Sequence, residues 1–298
     1  MNRAEFYKRV AGVIAAERLQ SRRVVVIGLG SGGSRVVAEL ARLGVDLMLV
    51  ERPGEALEEH NIVRHLLGYR SLGKSKLFEL KRHLQNLYPF ARLTVCALDV
   101  VEDAELFLKR LEKWRPDLLA VCTDNEQSKH AANQAALRLG IAQVGAGVYD
   151  GGIGGEVYRV RAGEACYGCI AAHLQLRRPA KRETLTYDYN GADPFQAQST
   201  SALNLDIAQI ALLQSRLALE FLLDDPQFTG LPAAANLLVF ANRFVAGTFS
   251  RPFHCEFFSI KRLASCLDCG DPVGDLEQQA ERIVTSLNAG SQLSQPCP

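Results

Sequence analysis

The chain has 298 residues, 48% of them apolar, which is enough to bury one large core or two modest ones. It carries 34 Lys+Arg against 33 Asp+Glu, and the formal charge of +1 excludes recruitment of nucleic acid or an anionic membrane by a global field. The first residues lack the apolar core of a signal peptide, and no apolar run approaches the roughly 18 residues of a membrane span. We therefore expect a cytoplasmic protein whose eight cysteines serve metal binding or catalysis rather than disulfides.

The first half of the chain has the pattern of a parallel α/β sheet. Apolar and charged residues alternate at helical spacing over residues 4–20, which predicts an amphipathic first helix. A β-branched strand at 24–27, a glycine turn, a helix at 34–43 and a buried strand at 47–50 predict a βαβ unit. The same reasoning predicts a helix at 74–87 and strands at 93–98, 118–122 and 141–145.

Beyond residue 147 the pattern changes. Residues 155–161 alternate like a half-exposed strand, and residues 203–223 form a strongly apolar helix. Residues 237–263 contain strand-like stretches, and a small helix is predicted beyond residue 272. Residues 177–201 are polar and weakly periodic, which predicts a mobile excursion from the core.

A glycine-rich turn joins the first strand to the first helix of the βαβ unit. Gly28, Gly30 and Gly33 satisfy the G-x-G-x-x-G pattern, with Ser31 inside it, so backbone N–H groups and a helix dipole would face a phosphate. Glu51 closes the second strand and can accept hydrogen bonds from ribose hydroxyls. These features alone favour a dinucleotide enzyme about as much as an ATP enzyme.

Further polar residues follow near the same predicted sheet edge. Asn61, Arg64 and Lys76 supply an amide, a bidentate cation and a point-charge cation. Asp124 and Asn125 come just after the strand at 118–122, at the carboxyl end where α/β sheets bind ligands. The Asp124 carboxylate suits Mg²⁺, and capping the helix that begins near Glu126 is an equally natural role.

These motifs, in this order, resemble the E1-like adenylating family. That family includes the thiamin- and molybdopterin-pathway activators (ThiF and MoeB types) and the ubiquitin-type E1 domains. The resemblance covers about residues 20–270 and rests on GLGSGGS, ERPGEALEEHNIVRH, LGKSK, CTDN and two distant C-x-x-C pairs. The segments NIVRHLLG and GGEVYRVRAGEACYGC are most similar to bacterial members encoded beside ubiquitin-like, E2-like and JAB-protease partners.

The resemblance implies MgATP-dependent adenylation of the C-terminal carboxylate of a β-grasp protein ending in Gly-Gly, with release of pyrophosphate. Arg64 and Lys76 would then contact the phosphates, Asp124 would hold Mg²⁺, and Asn61, Asn125 and the glycine turn would position the nucleotide. A carboxylate with a pKa near ~3.5 is already ionised at neutral pH, so no general base is needed. A homodimer is implied, with an E2-like protein as a further partner.

The implied fold is a Rossmann-like doubly wound sheet with a zinc-stapled C-terminal half. We expect an N-terminal helix for dimer or partner contacts, a nucleotide-binding half, a substrate-binding half with a crossover loop at 177–201, and a C-terminal helix and tail. The corresponding residues are 1–23, 24–147, 148–272 and 273–298.

Two C-x-x-C pairs give the strongest single motif. Cys166 and Cys169, with Cys266 and Cys269, offer four thiolates in turns suited to tetrahedral Zn²⁺. A closed thiolate site leaves no position for substrate, which favours a structural role. Two independent redox pairs are the alternative, although neither pair has a thioredoxin-like context.

The chain also departs from the family pattern. Glu51 replaces the usual Asp, and Ser31, His65 and Lys129 replace a usual Gly, Gln and Arg. The R-x-x-R-Q stretch, whose arginine reaches the phosphates across a dimer, is missing, and the candidates to replace it are Arg3, Arg9 and Arg18. The slot for a thioester cysteine falls near Ser199, a serine that is either native or a replacement.

Three other functions stay open on the sequence. The departures favour a non-catalytic docking subunit, although the retained polar residues oppose it. Another carboxylate, on a peptide or a modified tRNA base, could be adenylated. An NAD(P)-dependent oxidoreductase is compatible with the glycine turn and Glu51 but leaves the remaining motifs without a role.

Overall fold

The computed structural model describes residues 1–14, 16–177 and 201–271. Its eight strands form one mixed sheet in the order β3-β2-β1-β4-β5-β6-β7-β8. Among the described residues, no helix is both long and apolar enough to span a bilayer. The strands are β1 (Arg23–Ile27), β2 (Asp46–Glu51), β3 (Arg92–Ala97), β4 (Leu118–Val121), β5 (Ala142–Val148), β6 (Gly154–Val160), β7 (Leu237–Ala241) and β8 (His254–Phe258).

The first five strands run parallel and reverse their order beside β1. Strand β1 pairs with β2 on one side, Val24 opposite Leu47, and with β4 on the other, Val24 opposite Leu118. The βαβ unit predicted from the sequence is therefore present. The reversal between β1 and β4 is a topological switch point, where open α/β sheets bind ligands beyond the carboxyl ends of their strands.

Helices cover both faces of β1, β2 and β4, which explains why the buried residues of these three strands are continuous apolar runs. On one face, Val24 and Val26 pack with side chains of α3, α5 and α9. On the other face, Val25 and Ile27 pack with α6 and α7. The helices are α1 (Arg3–Tyr7), α2 (Ala16–Gln20), α3 (Ser31–Arg42), α4 (Glu59–Ile62), α5 (Lys76–Leu87), α6 (Ala104–Trp114), α7 (Glu126–Leu139), α8 (Tyr167–Arg177) and α9 (Asn204–Leu223).

Strands β6 to β8 continue the sheet in antiparallel sense. The strand predicted at 155–161 is present as β6, but its predicted half-exposure is wrong, because every residue of β6 is buried. Val157 faces the core that contains Ile210 of α9, and Tyr158 packs on the opposite face against Tyr167 of α8. Arg159 of β6 is buried in an ion pair with Glu220, so a charged residue in this strand does not indicate a face exposed to water.

The N-terminal segment is also different from its prediction. The expected single helix over 4–20 is two short helices, α1 and α2, joined by turns that contain Gly12. Glycine in a helix interior is costly, and the bend allows both Tyr7 and Leu19 to be buried.

Some predicted elements lie outside the described residues. These are the interior of the crossover loop at 177–201 with Ser199, and the helix and tail at 273–298. The division predicted at residues 147 and 148 falls at the end of β5 and stays a prediction.

Candidate active site

A cavity of about 870 Å³ opens at the carboxyl edge of the sheet. The last residue of each of the first five strands, or the residue that follows it, contributes to the wall: Ile27, Glu51, Leu98, Cys122 and Val148. The site residues predicted from the sequence that also line this cavity are Gly28, Gly30, Ser31, Glu51, Asn61, Arg64, Lys76, Asp124 and Asn125. Segments far apart in the chain therefore meet at one place.

The glycine turn brings the N-terminus of helix α3 to the cavity. Gly28 has a φ of +86°, and a Cβ there would lie 2.9 Å from the Thr123 nitrogen. Gly30 precedes the first turn of α3 and lines the cavity. Unpaired N–H groups and the positive end of the helix dipole can therefore bind an anion here.

Gly33 lies behind the turn and does not line the cavity. A Cβ on Gly33 would be 2.0 Å from the Gly28 carbonyl oxygen and 3.0 Å from the Cys122 Cβ. This glycine therefore lets α3 pack closely on β1 and β4. A direct contact of Gly33 with phosphate stays a prediction.

Two side chains hold the backbone of Leu29, between Gly28 and Gly30. Glu51 Oε2 accepts from the Leu29 N–H at 2.8 Å, and His65 Nε2 lies 2.7 Å from the Leu29 carbonyl oxygen. His65 Nδ1 accepts from the Leu67 N–H at 3.0 Å, so Nε2 carries the proton and the ring is neutral. Burial lowers the pKa of His65, and the nearby cations of Lys76 and Arg35 act in the same direction.

The role of His65 was not predicted from the sequence, where the residue stood out only as a replacement for a usual Gln. Glu51 lines the cavity but already supports the turn. Its contact with ribose stays a prediction.

The polar segment that follows β2 places both predicted cations, Arg64 and Lys76, in the cavity. Asn61 caps α4, since its Oδ1 accepts from the Glu58 N–H at 3.3 Å, and partly buried Arg64 follows one turn later. Lys76 is the first residue of α5, and its side chain is only 13% exposed. Its Nζ lies 2.7 Å from Glu55 Oε2.

The turn after β4 directs Asp124 to the cavity. Thr123 Oγ1 accepts from the Asn125 N–H at 3.2 Å, and Asn125 Oδ1 accepts from the Ser128 N–H at 3.0 Å. Asn125 is thus the N-cap of α7, and the alternative that Asp124 caps this helix is wrong. The exposed Asp124 side chain makes no hydrogen bond or ion pair within the described parts of the chain. Its carboxylate can therefore receive a hard cation.

Helix α9 forms an apolar wall of the cavity and contributes one buried amide. Gln214 Nε2 donates to the carbonyl oxygens of Val121 at 2.9 Å and Val144 at 3.3 Å, which fixes α9 across β4 and β5. Its Oε1 lies 3.6 Å from the Cys122 sulfur. Burial raises the pKa of Cys122 to about 12, so its thiol stays protonated and is a poor nucleophile. Ser215 and Arg216 follow Gln214 directly in α9, so the sequence alone does not set this amide apart as a buried residue.

The four cysteines of the C-x-x-C pairs form one cluster. The sulfur atoms of Cys166, Cys169, Cys266 and Cys269 all lie within 4.8 Å of one another. The Cys166–Cys266 and Cys169–Cys269 sulfur distances are both 3.6 Å. Tetrahedral Zn²⁺ with bonds of about 2.3 Å requires sulfur atoms about 3.8 Å apart, so this donor set fits zinc.

The cysteine cluster is connected to the helix that begins at the Asp124 turn. Asp268, inside the second C-x-x-C pair, lies 2.7 Å from His130 Nδ1 and accepts from Asn133 Nδ2 at 2.7 Å. Gln134 donates to the same carboxylate at 3.1 Å. All three partners belong to α7, so the cluster fixes the helix whose N-terminus borders the cavity.

None of the three arginines suggested for a contact across a dimer lines the cavity of its own chain. Arg3 lies over the Phe90 ring, with 5.4 Å between Cζ and the ring centroid, and Arg18 pairs with Asp225 at 3.0 Å. Arg9 is exposed. The choice among them stays a prediction.

Comparison with protein families supplies the identification. The model described as "ThiF family" matches residues 4–254. The chain belongs to the ThiF family. The resemblance to E1-like adenylyltransferases stated from the sequence motifs is therefore confirmed, as is the Rossmann-like fold class.

Curated relatives of this ThiF-family chain are named ubiquitin-like modifier-activating enzyme 5. The Dictyostelium discoideum protein is 28% identical over 172 residues, covering 55% of this chain and 45% of the relative. The Gallus gallus protein is 27% identical over 190 residues, covering 59% of this chain and 47% of the relative. The chain thus spans about half the length of the curated relatives that it matches.

Solved structures of E. coli MccB share the fold. MccB with ATP superposes with a TM-score of 0.63 at 17% identity, covering 90% of this chain and 75% of MccB. MccB with AMPCPP and MccA gives 0.63 at 18% identity with the same coverage. At this identity the likeness is evidence for the fold alone.

Proposed function

We propose that this ThiF-family protein uses MgATP to adenylate the C-terminal carboxylate of a ubiquitin-like protein ending in Gly-Gly, with release of pyrophosphate. The observation that carries the proposal is the composition of one cavity. It combines a helix N-terminus, the cations of Arg64 and Lys76, and the uncommitted carboxylate of Asp124. A triphosphate with a divalent cation matches this set of groups.

The glycine turn and α3 N-terminus would bind phosphate oxygens through backbone N–H groups. Arg64 and Lys76 would neutralise the charge that develops on the α-phosphoryl group and on departing pyrophosphate. Asp124 would hold Mg²⁺, which when bound supplies further neutralisation of the phosphates, and neighbouring Asn125 would help to position the nucleotide. Glu51 and Asn61 would position the ribose and phosphate ends of the nucleotide.

Attack by the substrate requires no proton transfer. A terminal carboxylate with a pKa near ~3.5 is ionised at neutral pH and attacks the α-phosphorus directly. The one buried histidine of the cavity wall, His65, already contacts Leu29 and Leu67. The protein therefore contributes alignment and charge stabilisation, and Cys122 contributes no nucleophile.

The remaining proposals concern cofactors and partners. The four-cysteine cluster would hold a structural Zn²⁺, because its sulfur spacing fits that ion. A homodimer and an E2-like partner are proposed on the family relationship, and a cytoplasmic location on the composition. The substrate class is proposed on the printed name of the curated relatives.

The function is tested by exchange of radiolabelled pyrophosphate into ATP. Exchange is expected only when a Gly-Gly-ending ubiquitin-like protein is present, and Asp124→Ala should lower it about 100-fold or more. Glu105→Gln removes an exposed carboxylate outside the cavity and should leave exchange unchanged. Exchange that survives Asp124→Ala contradicts the metal role, and exchange with a short peptide but not with the ubiquitin-like protein contradicts the proposed substrate.

A further inference from the structure

Glu55 places a carboxylate inside the cavity that we assign to a triphosphate. Its Oε2 accepts from Lys76 Nζ at 2.7 Å, and its Oε1 accepts from Arg52 Nη2 at 2.6 Å. All three residues line the cavity. A negative charge at this place opposes binding of a polyanion. Its presence in a phosphate site therefore calls for a second role of Glu55 that offsets this repulsion.

The backbone fixes the relative positions of Glu55 and Lys76. The Lys76 N–H donates to the Glu55 carbonyl oxygen at 3.0 Å. Two further backbone hydrogen bonds join Leu57 to the segment before α5: the Leu57 N–H donates to the Lys74 carbonyl oxygen, and the Gly73 N–H donates to the Leu57 carbonyl oxygen. An antiparallel bridge pairs Ala56 with Ser75. The Glu55 carboxylate and the Lys76 ammonium therefore project from two segments that the backbone holds together, so the contact between them is fixed by the fold.

The carboxylate of Glu55 stays ionised in this setting. Burial raises the pKa of Glu55, but the hydrogen bonds and charges of Lys76 and Arg52 outweigh it, so the pKa is lowered overall. The Glu55 side chain is 27% exposed, against 62% for Arg52. Of its two cationic partners, Lys76 is the more enclosed, with a side chain only 13% exposed, and it is the one that the proposed function assigns to the phosphates.

We propose that Glu55 is a positioning residue, which holds the Lys76 ammonium in one direction for phosphate binding. An ammonium has three N–H donors; one is used by Glu55, and two remain for phosphate oxygens. A lysine otherwise has a long flexible stem and a point charge without preferred direction. Arg52 binds the second oxygen of Glu55 and restrains its carboxylate. This inference rests on the proposed function, because it assigns the lysine to a triphosphate.

The kinetic test uses pyrophosphate exchange and separate titration of MgATP. Glu55→Gln should lower kcat for exchange at least fivefold while the Kd for MgATP rises less than twofold, because loss of the negative charge offsets loss of the ordered lysine. Glu79→Gln is the matched control, since Glu79 pairs with Arg82 on the same helix outside the cavity. An unchanged kcat for Glu55→Gln overturns the proposal.

A double-mutant comparison separates positioning from a purely structural effect. In a Lys76→Met background, adding Glu55→Gln should change kcat less than twofold, because Glu55 then has no lysine to direct. A fivefold loss that persists in this background would mean that Glu55 acts by itself or only supports the loop, and it would overturn the inference.

Amine labelling tests the pair without nucleotide. An acetylating reagent should modify Lys76 several-fold faster in Glu55→Gln than in the protein that retains Glu55. The rate of acetylation is measured by mass spectrometry of the peptide that contains Lys76. Equal labelling in the two proteins refutes positioning of Lys76 by Glu55. If the protein without any substitution binds no MgATP, the proposed function is refuted whatever the labelling result. Failure of the proposed function is therefore distinguishable from failure of the inference about Glu55.

Discussion

Replacing Gly33 by alanine tests how closely helix α3 must pack on the glycine turn. The added Cβ would lie 2.0 Å from the Gly28 carbonyl oxygen, a backbone atom that moves only if α3 or β1 moves. Overpacking of this kind costs about 3 kcal/mol, and the better helix propensity of alanine returns about 1 kcal/mol. The expected net loss is about 2 kcal/mol, which lowers the Tm by roughly 3 °C in a chain of 298 residues.

The matched control is Gly30→Ala, because a Cβ at Gly30 meets no atom within 4 Å. Gly30 lines the cavity, so this variant should keep its stability within about 1 kcal/mol and lose affinity for nucleotide. Urea unfolding and titration of ATP measure the two effects. If Gly33→Ala is as stable as the unmodified protein, the close approach of α3 to β1 is refuted.

Two further predictions concern the buried histidine and the cysteine cluster. Because the folded-state pKa of His65 lies below its usual 6.5, the unfolded chain takes up the proton first and stability falls as the pH drops below 6.5. His65→Gln should flatten that slope in urea unfolding at a series of pH values, and an unchanged slope would exclude His65 as its source. Purified protein should contain one Zn²⁺ per chain by atomic absorption, and Cys266→Ser should lose both the metal and several kcal/mol of stability; a metal-free protein of full stability would contradict the zinc proposal.

The parallel half of the fold was predictable because its signals are local. A β-branched run, glycines at fixed spacing and a helical apolar face are each read within about 25 residues, and βαβ units have few possible topologies. The cysteine cluster was predictable for a related reason: two C-x-x-C turns with four thiolates have few other uses.

Contacts between distant segments were not predictable in this way. The alternation of residue types in β6 resembles that of a surface strand. In the structure, β7 pairs with β6 and helices cover both of its faces, and the local sequence of β6 does not indicate these neighbours. Gln214 meets the end of β4 and the middle of β5 only because α9 folds back across the sheet. Glu55 and Lys76 are 21 positions apart in the chain. In the sequence, each of them looks like an ordinary charged residue on the protein surface.

The Asp124 turn shows a different limit. Both Asp and Asn are good N-cap residues, so the sequence could not tell which of Asp124 and Asn125 caps α7. The hydrogen bond from the Ser128 N–H to Asn125 decides it. That choice leaves the Asp124 carboxylate to the cavity and makes the proposed metal site chemically reasonable.

Titration of ATP against the unmodified protein and Asp124→Asn, each with and without Mg²⁺, measures whether Asp124 holds the metal beside a bound triphosphate. This role of Asp124 predicts that Mg²⁺ tightens ATP binding to the unmodified protein at least tenfold and has little effect on Asp124→Asn, whose amide is a weaker ligand for a hard cation. Equal Mg²⁺ dependence in both proteins, or binding of NADH in preference to ATP, would contradict it.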